Sequence, residues 1–365
     1  MGVTEILGNV PKTAGWARRA RRPRPDIHVG MVGLGYWGSK LLRNLFQLEG
    51  AVVTAACDID PAVLEDQARR HRYLPLTRDI DDLLNDETID AVAIATPISN
   101  HFELARQALL AGKHVLVEKP LAGNLTEAEE LRDIAAERDL VLMPAHTFLY
   151  SPPVVAVKEL LDRGELGRIY FATSSRVNLG IHQRNTSVIR DLAPHDFSIL
   201  LYWMGKPSFV RAIGRAAVMD DVVDVAFIDL GYEGDCLVHI DLSWLAPTKL
   251  RRTVLVGERK MVVYDDTSTE QVRIFDNGVE RIDDRTFGEF QLAYRSGDIL
   301  TPHLDPAEPL QLELEDFMEA IRSGGSPRSH IDLGLDVVSM TDAAEESLAT
   351  GGEAISLTDR VRNYT

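Results

Sequence analysis

Cysteine, basic charge and unbroken apolar stretches are what this chain has least of, and each shortage removes a class of protein. Its two cysteines, Cys57 and Cys236, lie far apart in separate strand-like runs. They cannot staple a small fold with a disulfide framework or build a cysteine-rich zinc site, and the pattern fits the reducing cytoplasm. The ten histidines show no metal-ligand spacing, so no metal is expected. No run approaches the roughly 20 apolar residues of a membrane span, so no membrane partner is expected either. Acidic residues outnumber basic ones by 56 to 39, giving a net charge of −17 that argues against nucleic acid as a partner. Two common catalytic signatures are missing as well: a Gly-x-Ser-x-Gly elbow and a phosphate loop ending in Gly-Lys-Ser/Thr.

What remains is 365 residues, 45% hydrophobic and 26% charged, a globular composition and a length that favours two domains. Residues 1–25 carry Lys12, Arg18, Arg19, Arg21, Arg22 and Arg24 against Glu5 alone. With no apolar segment behind the arginines, this basic tail reads as a disordered leader, not as a secretory or twin-arginine signal.

The organising stretch begins at Ile27 and runs through the turn Gly33-Leu34-Gly35-Tyr36-Trp37-Gly38. An apolar strand enters a Gly-x-Gly-x-x-Gly turn, and a helix with Leu41, Leu42, Leu45, Phe46 and Leu48 on one face leaves it. That context identifies a dinucleotide site. Gly33 permits the tight turn, Gly35 lets backbone approach a pyrophosphate, and Gly38 lets helix and strand pack closely. The helix N-terminus supplies oriented N–H groups and a positive dipole end. A second strand ends at Asp58, 20 residues past Gly38, where a carboxylate accepts from ribose hydroxyls and repels a 2′-phosphate. NAD is therefore expected in preference to NADP.

Strands and helices then alternate to about residue 145, with strands at 91–96, 114–117 and 140–143. Near-continuous apolar strands of this kind form a parallel sheet covered on both faces. From about residue 150 the pattern changes to alternating strands at about 169–177, 209–217, 223–232, 235–244, 250–257 and 260–264. A helix is expected at 197–204, where Tyr202, Trp203 and Met204 read as core, and others at 312–322 and 331–348. The fold class is α/β: an N-terminal doubly wound Rossmann sheet over 26–147, then an α/β domain over 148–365 with a large, mostly antiparallel open sheet.

Ligands of parallel sheets sit at the carboxyl ends of the strands. Thr96, Pro97, Glu118, Lys119 and His146 fall there. Lys119, beside a proline of fixed φ, could bond a substrate oxygen next to a nicotinamide ring; taken alone it reads rather as an ordinary surface lysine. Asp191 and His195 are four residues apart, a spacing that puts both on one helical face, with Pro194 suited to a first turn. A carboxylate that fixes an imidazole tautomer makes a general base, although a capping Asp191 and a packed His195 fit the spacing equally. Tyr150, Arg176, Asn178, His182 and Arg184 are further polar candidates for substrate contact.

Taken with Ala95-Thr96-Pro97, the run Gly112-Lys113-His114-Val115 leading into Glu118-Lys119-Pro120, and Asp191-Leu192-Ala193-Pro194-His195-Asp196, the chain resembles the Gfo/Idh/MocA family from Ile27 to about Leu357. The resemblance implies a Rossmann domain and a second domain whose open sheet makes homodimers or homotetramers. It implies that Lys119, Asp191 and His195 match the family's catalytic trio, with Asp191 orienting the imidazole. It places Gly33, Gly35, Tyr36, Trp37, Gly38, Asp58, Thr96, Pro97, His101, Glu118 and Lys119 at the cofactor. The implied reaction is NAD-dependent hydride transfer at a secondary hydroxyl. The run Ser243-Trp244-Leu245-Ala246-Pro247-Thr248-Lys249-Leu250-Arg251 is similar to members acting on nucleotide-linked sugars. Lys249, Arg251 and Arg252 read either as diphosphate contacts or as a solvated strand. Inositol-type polyols are the alternative substrate. A non-catalytic NAD sensor and an NADP-dependent imine reductase are alternatives of other classes.

Overall fold

Apolar strands joined by amphipathic helices build the first sheet, in a computed structural model that describes residues 26–180, 182, 186–282, 291–358 and 360. The basic tail and Arg184 lie outside these residues. The order is β1 (Ile27–Val32), α1 (Tyr36–Gln47), β2 (Ala51–Cys57), α2 (Pro61–Arg70), β3 (Leu76–Thr77), α3 (Asp81–Leu84), β4 (Ala91–Ile94), α4 (His101–Leu110), β5 (His114–Glu118), α5 (Leu125–Glu137) and β6 (Leu142–Ala145). The six strands pair in parallel in the order β3-β2-β1-β4-β5-β6. Strand order reverses between β1 and β4, which opens a crevice at their carboxyl ends.

The glycine turn is built on close approaches. Gly33 has φ +86°, and a Cβ there would lie 2.5 Å from the Ala95 carbonyl oxygen. A Cβ on Gly38 would lie 1.9 Å from the Gly33 carbonyl oxygen, so only glycine lets α1 start this near β1. Leu41, Leu42, Leu45 and Leu48 are buried as expected, but Phe46 is half-exposed and stacks on His71.

The second half continues with α6 (Pro152–Asp162), β7 (Ile169–Leu179), α7 (Val188–Met204), β8 (Phe209–Arg215), β9 (Val225–Gly231), β10 (Leu237–Ser243), β11 (Leu245–Gly257), β12 (Met261–Asp265), β13 (Val272–Ile282), β14 (Gln291–Leu300), α8 (Pro309–Ser323), α9 (Ile331–Ala349) and β15 (Ile355–Ser356). Nine strands form one sheet in the order β14-β13-β12-β11-β7-β10-β9-β8-β15. Every pairing is antiparallel except that of β7 with β10. Val210, Ala212, Ala226, Ile228, Val238 and Ile240 are buried on one face, and α7 and α9 pack against these strands. The alternate positions leave Phe171, Ile213, Phe227 and Leu237 exposed.

Three elements depart from the sequence reading. Helix α7 begins at Val188, not at 197, because Ser187 caps it by accepting from the Arg190 N–H at 3.2 Å. Pro194 therefore sits inside the helix and not in its first turn. Strand β6 is displaced by two residues and contains Pro144, which an edge strand tolerates because one side needs no donor. The β13–β14 pair was not expected. It extends the sheet edge with largely exposed side chains such as Tyr294, Ile299 and Leu300, so it lacks the alternation that burial of one face imposes.

The two glycines of the turn should respond differently to a methyl group. Gly38→Ala forces overpacking against backbone and should cost about 1–3 kcal/mol in urea unfolding. Gly35→Ala enters a position with nothing within 4 Å of the new Cβ and should leave the midpoint nearly unchanged. Equal losses at both positions would overturn this account of the turn.

Candidate active site

Lys119 follows the last residue of β5 and is joined to Pro120 by a cis peptide bond. Its ammonium group leaves the first sheet and meets α7, donating from Nζ to the Asp191 carbonyl oxygen at 3.0 Å and lying 3.7 Å from Asp191 Oδ1. Burial pulls the Lys119 pKa below the ordinary lysine value, while the charges of Asp191 and Glu118 oppose that shift. Pro194 matters here: proline has no N–H for the Arg190 carbonyl, and the next carbonyl, that of Asp191, is bonded by Lys119.

His195, one turn further along α7, packs edge-on against the Phe148 ring at 5.1 Å. Burial drives its pKa well below that of a free imidazole, and the charges of Lys119, Arg176 and Arg251 push the same way. The ring is therefore a neutral base at physiological pH. The expectation that Asp191 bonds this ring is corrected. The Asp191 carboxylate accepts from Trp244 Nε1 at 3.2 Å and faces Lys119, so side chains from other elements engage it.

Arg176 is buried on β7 and pairs with Asp196 through Nε at 2.5 Å. Its guanidinium lies 4.8 Å from the Phe148 centroid, and that of Arg251 lies 5.7 Å from it. Arg251 pairs with Asp266 at 3.1 Å. Each cation around His195 thus has a carboxylate partner: Lys119 with Asp191, Arg176 with Asp196, Arg251 with Asp266. Several buried polar atoms here have no protein partner: both ring nitrogens of His146, Nη1 of Arg176, Oδ1 of Asn178 and Oγ1 of Thr96. Buried polar groups ordinarily find partners, so these are the atoms a bound ligand or water would satisfy. Burial, followed by the Lys119 charge, takes His146 down to about 3.

Other expected contacts have structural roles. The Tyr150 hydroxyl donates to Asp316 Oδ2 at 2.7 Å and accepts from the Ser329 N–H at 3.1 Å, which ties it to α8 and removes it as a ligand contact. His182 packs on Trp244 and lies 3.5 Å from Asp224 Oδ2. His101 is buried, with Nδ1 2.8 Å from the Pro120 carbonyl and Nε2 2.8 Å from the Thr96 carbonyl. It joins the β4 and β5 loops beneath the crevice instead of facing a ligand.

The glycine turn fits a dinucleotide. A Cβ at Gly35 would enter open space, and the first turn of α1 carries no acidic residue to repel a phosphate. Asp58 accepts from the Leu34 N–H at 2.7 Å and the Asp60 N–H at 2.9 Å, and a carboxylate retains lone pairs for ribose hydroxyls after both bonds. Tyr36 and Trp37 are exposed at the start of α1, with Lys40 Nζ 4.0 and 4.5 Å from their ring centroids. Among the described residues no group of three or more His, Cys, Asp or Glu side chains could hold a metal, and no helix is long and apolar enough to cross a membrane.

The sequence reading missed Phe148 and Glu313 as parts of this neighbourhood, and it named Asp196 and Trp244 only within motifs, without a role. Glu313 is fully buried on α8, accepts from Thr147 Oγ1 at 2.8 Å, and has its acid stabilised by burial and by Glu118. A signal existed, because Leu310, Glu313, Leu314 and Phe317 recur at helical spacing and place an acid within the apolar stripe.

Comparisons with known proteins agree with this fold. A family described as an oxidoreductase family with an NAD-binding Rossmann fold matches residues 27–146, and the GFO/IDH/MocA C-terminal domain matches residues 154–263. An uncharacterized oxidoreductase of Bacillus subtilis is 27% identical over 60% of this chain and 67% of its own length. Myo-inositol 2-dehydrogenase of Thermotoga maritima is 24% identical over 88% of this chain and 96% of its own. The chain spans 53% and 58% of the length of two further bacterial oxidoreductases. Among solved structures, UDP-N-acetylglucosamine 3-dehydrogenase of Acidithiobacillus ferrooxidans shares the fold at a TM-score of 0.74, with 24% identity over 89% of this chain and 98% of that one.

Burial raises Glu118 to about 7, against the pull of Lys119. Carboxyl NMR should show it titrating near neutrality, and higher still in Lys119→Met, where the opposing charge is gone. Titration near 4.5, its unshifted value, would contradict the buried placement.

Proposed function

This chain belongs to the Gfo/Idh/MocA family of NAD-binding oxidoreductases, and on that premise we propose that it transfers hydride between NAD and a secondary hydroxyl of a sugar. The convergence of Lys119, Asp191 and His195 where β5 meets α7 carries this reading, because it pairs a partly buried ammonium with a partly buried neutral imidazole. NAD, when bound, supplies the hydride acceptor. Gly33, Gly35 and Gly38 would admit its pyrophosphate to the N-terminus of α1, and Asp58 its ribose, with repulsion of a 2′-phosphate favouring NAD over NADP.

His195 takes the hydroxyl proton, and its low proton affinity keeps it free to do so across the neutral range. Lys119 donates to the same oxygen and stabilises the alkoxide that develops. His146, Asn178 and Arg176 offer their unpartnered atoms to the remaining hydroxyls. Burial and the nearby positive charges of Lys119, Arg176 and Arg251 keep the reacting ring uncharged. A nucleotide-linked sugar fits if its diphosphate lies outward, toward exposed Lys249. A cyclic polyol such as inositol fits the same neutral centre. In the division of labour that follows, residues 26–147 hold the dinucleotide, while residues 148–365 hold the substrate and present the open sheet face to a second copy.

Lys119→Met should lower turnover about 10²–10³-fold, a loss typical of removing one donor to a developing oxyanion, with NAD affinity retained. Absorbance near 340 nm with NAD and a panel of inositols, hexoses and nucleotide-linked sugars reads the outcome; unchanged turnover would remove Lys119 from the chemistry. Phe227→Glu, on the uncovered sheet face, should shift the protein toward monomer in sedimentation. A variant that sediments as wild type would move the interface elsewhere.

A further inference from the structure

The indole of Trp244 has no part in the reaction as described so far. It lies between the last residue of β10 and the first of β11, with 2% of its surface exposed. Its backbone is fixed at both ends: the Trp244 N–H donates to the Asp224 carbonyl at 3.0 Å, and its carbonyl accepts from the Gly180 N–H at 2.9 Å. The ring is fixed as well. His182 packs edge-on against it at 5.4 Å, and a Cβ on Gly180 would lie 2.9 Å from its Cδ1. A side chain held this firmly presents one polar atom, Nε1, and that atom donates to Asp191 Oδ2 at 3.2 Å. The other carboxylate oxygen, Oδ1, lies 3.7 Å from Lys119 Nζ.

We propose that Trp244 is a positioning residue for the reaction, its indole N–H holding the Asp191 carboxylate turned toward Lys119 and away from the His195 ring. On a helix, Asp191 and His195 share a face, so an unrestrained carboxylate could swing to the imidazole. The indole donor takes one oxygen and leaves the other for the ammonium. Asp191 then serves as counter-charge to a partly buried lysine, offsetting the cost of an ammonium away from water. The other groups facing Lys119 are Glu118 on β5, His146 beyond β6, Arg176 on β7 and His195 on α7. Of these only Glu118 and Asp191 favour its charged form, so the orientation of Asp191 bears directly on whether the lysine keeps its proton.

This inference rests on Lys119 acting as an ammonium in hydride transfer, and the test separates the two. Trp244→Phe keeps an aromatic ring and removes the donor. It should lower kcat about ten-fold or more, as loss of a hydrogen bond to a charged group does, with little change in KM. It should also move the basic limb of the kcat–pH profile to lower pH, because Lys119 would lose its proton more readily. A residue that only fills space would lower the melting temperature and leave that limb in place. If the single variant folds poorly, a cycle with Asp191→Asn decides: Trp244→Phe should add no further loss in that background. Wild-type kcat and an unmoved limb in Trp244→Phe, with Lys119→Met inactive, would overturn the role of Trp244 alone. An active Lys119→Met would overturn the reading beneath it.

Discussion

A lysine ammonium largely withdrawn from water is the constraint around which the molecule is arranged. Removing such a group from solvent costs several kcal/mol unless charge and hydrogen bonds replace what water gave. Lys119 finds both in one residue, the carbonyl and the carboxylate of Asp191, and that residue belongs to a different sheet's helix. The contact therefore works as a joint. The parallel sheet supplies the cation, the second half supplies its counter-charge, and neither alone would hold the ammonium in place.

The same logic extends outward from the joint. Arg176 and Arg251 approach the Phe148 ring from β7 and β11, and Asp196 and Asp266 neutralise them. Phe148 thus gathers two guanidinium groups and the imidazole around one ring. The positive charges still reach His195, and together with burial they keep its ring neutral. Electrostatics and burial together favour a base beside an ammonium, an arrangement that water would dissolve.

Much of this was legible in the sequence, and what was legible has a common physical source. Glycines at 33, 35 and 38, the apolar run before them and the acid at 58 are local requirements, and local requirements are written in consecutive residues. The parallel sheet followed from its unbroken apolar strands. Helix α7 was misplaced because its start depends on Ser187, a single capping hydroxyl, whereas Pro194 advertised a start that tertiary packing overrides. The β13–β14 pair was hidden because β13 alternates buried apolar side chains only at Val272 and Ile274 and most of the described side chains of β14 face solvent. The bond expected between Asp191 and His195 is absent for a different reason: spacing reports which residues share a helical face, but not which side chains arrive from the ends of β5 and β10 to claim a carboxylate.

His101 carries one last consequence. Its two ring nitrogens meet the carbonyls of Thr96 and Pro120, so a single buried ring spans the loop that closes β4 and the loop that bears the lysine. Burial lowers the ring's pKa, and a neutral imidazole has one N–H, so it donates to one of the two carbonyls; parting the loops would strand that donor and its acceptor, at roughly 1–3 kcal/mol for each unsatisfied group. The loops are thereby welded into one rigid floor. Little conformational entropy is then left to lose there when a ligand arrives, and a displacement imposed on one loop is carried to the other.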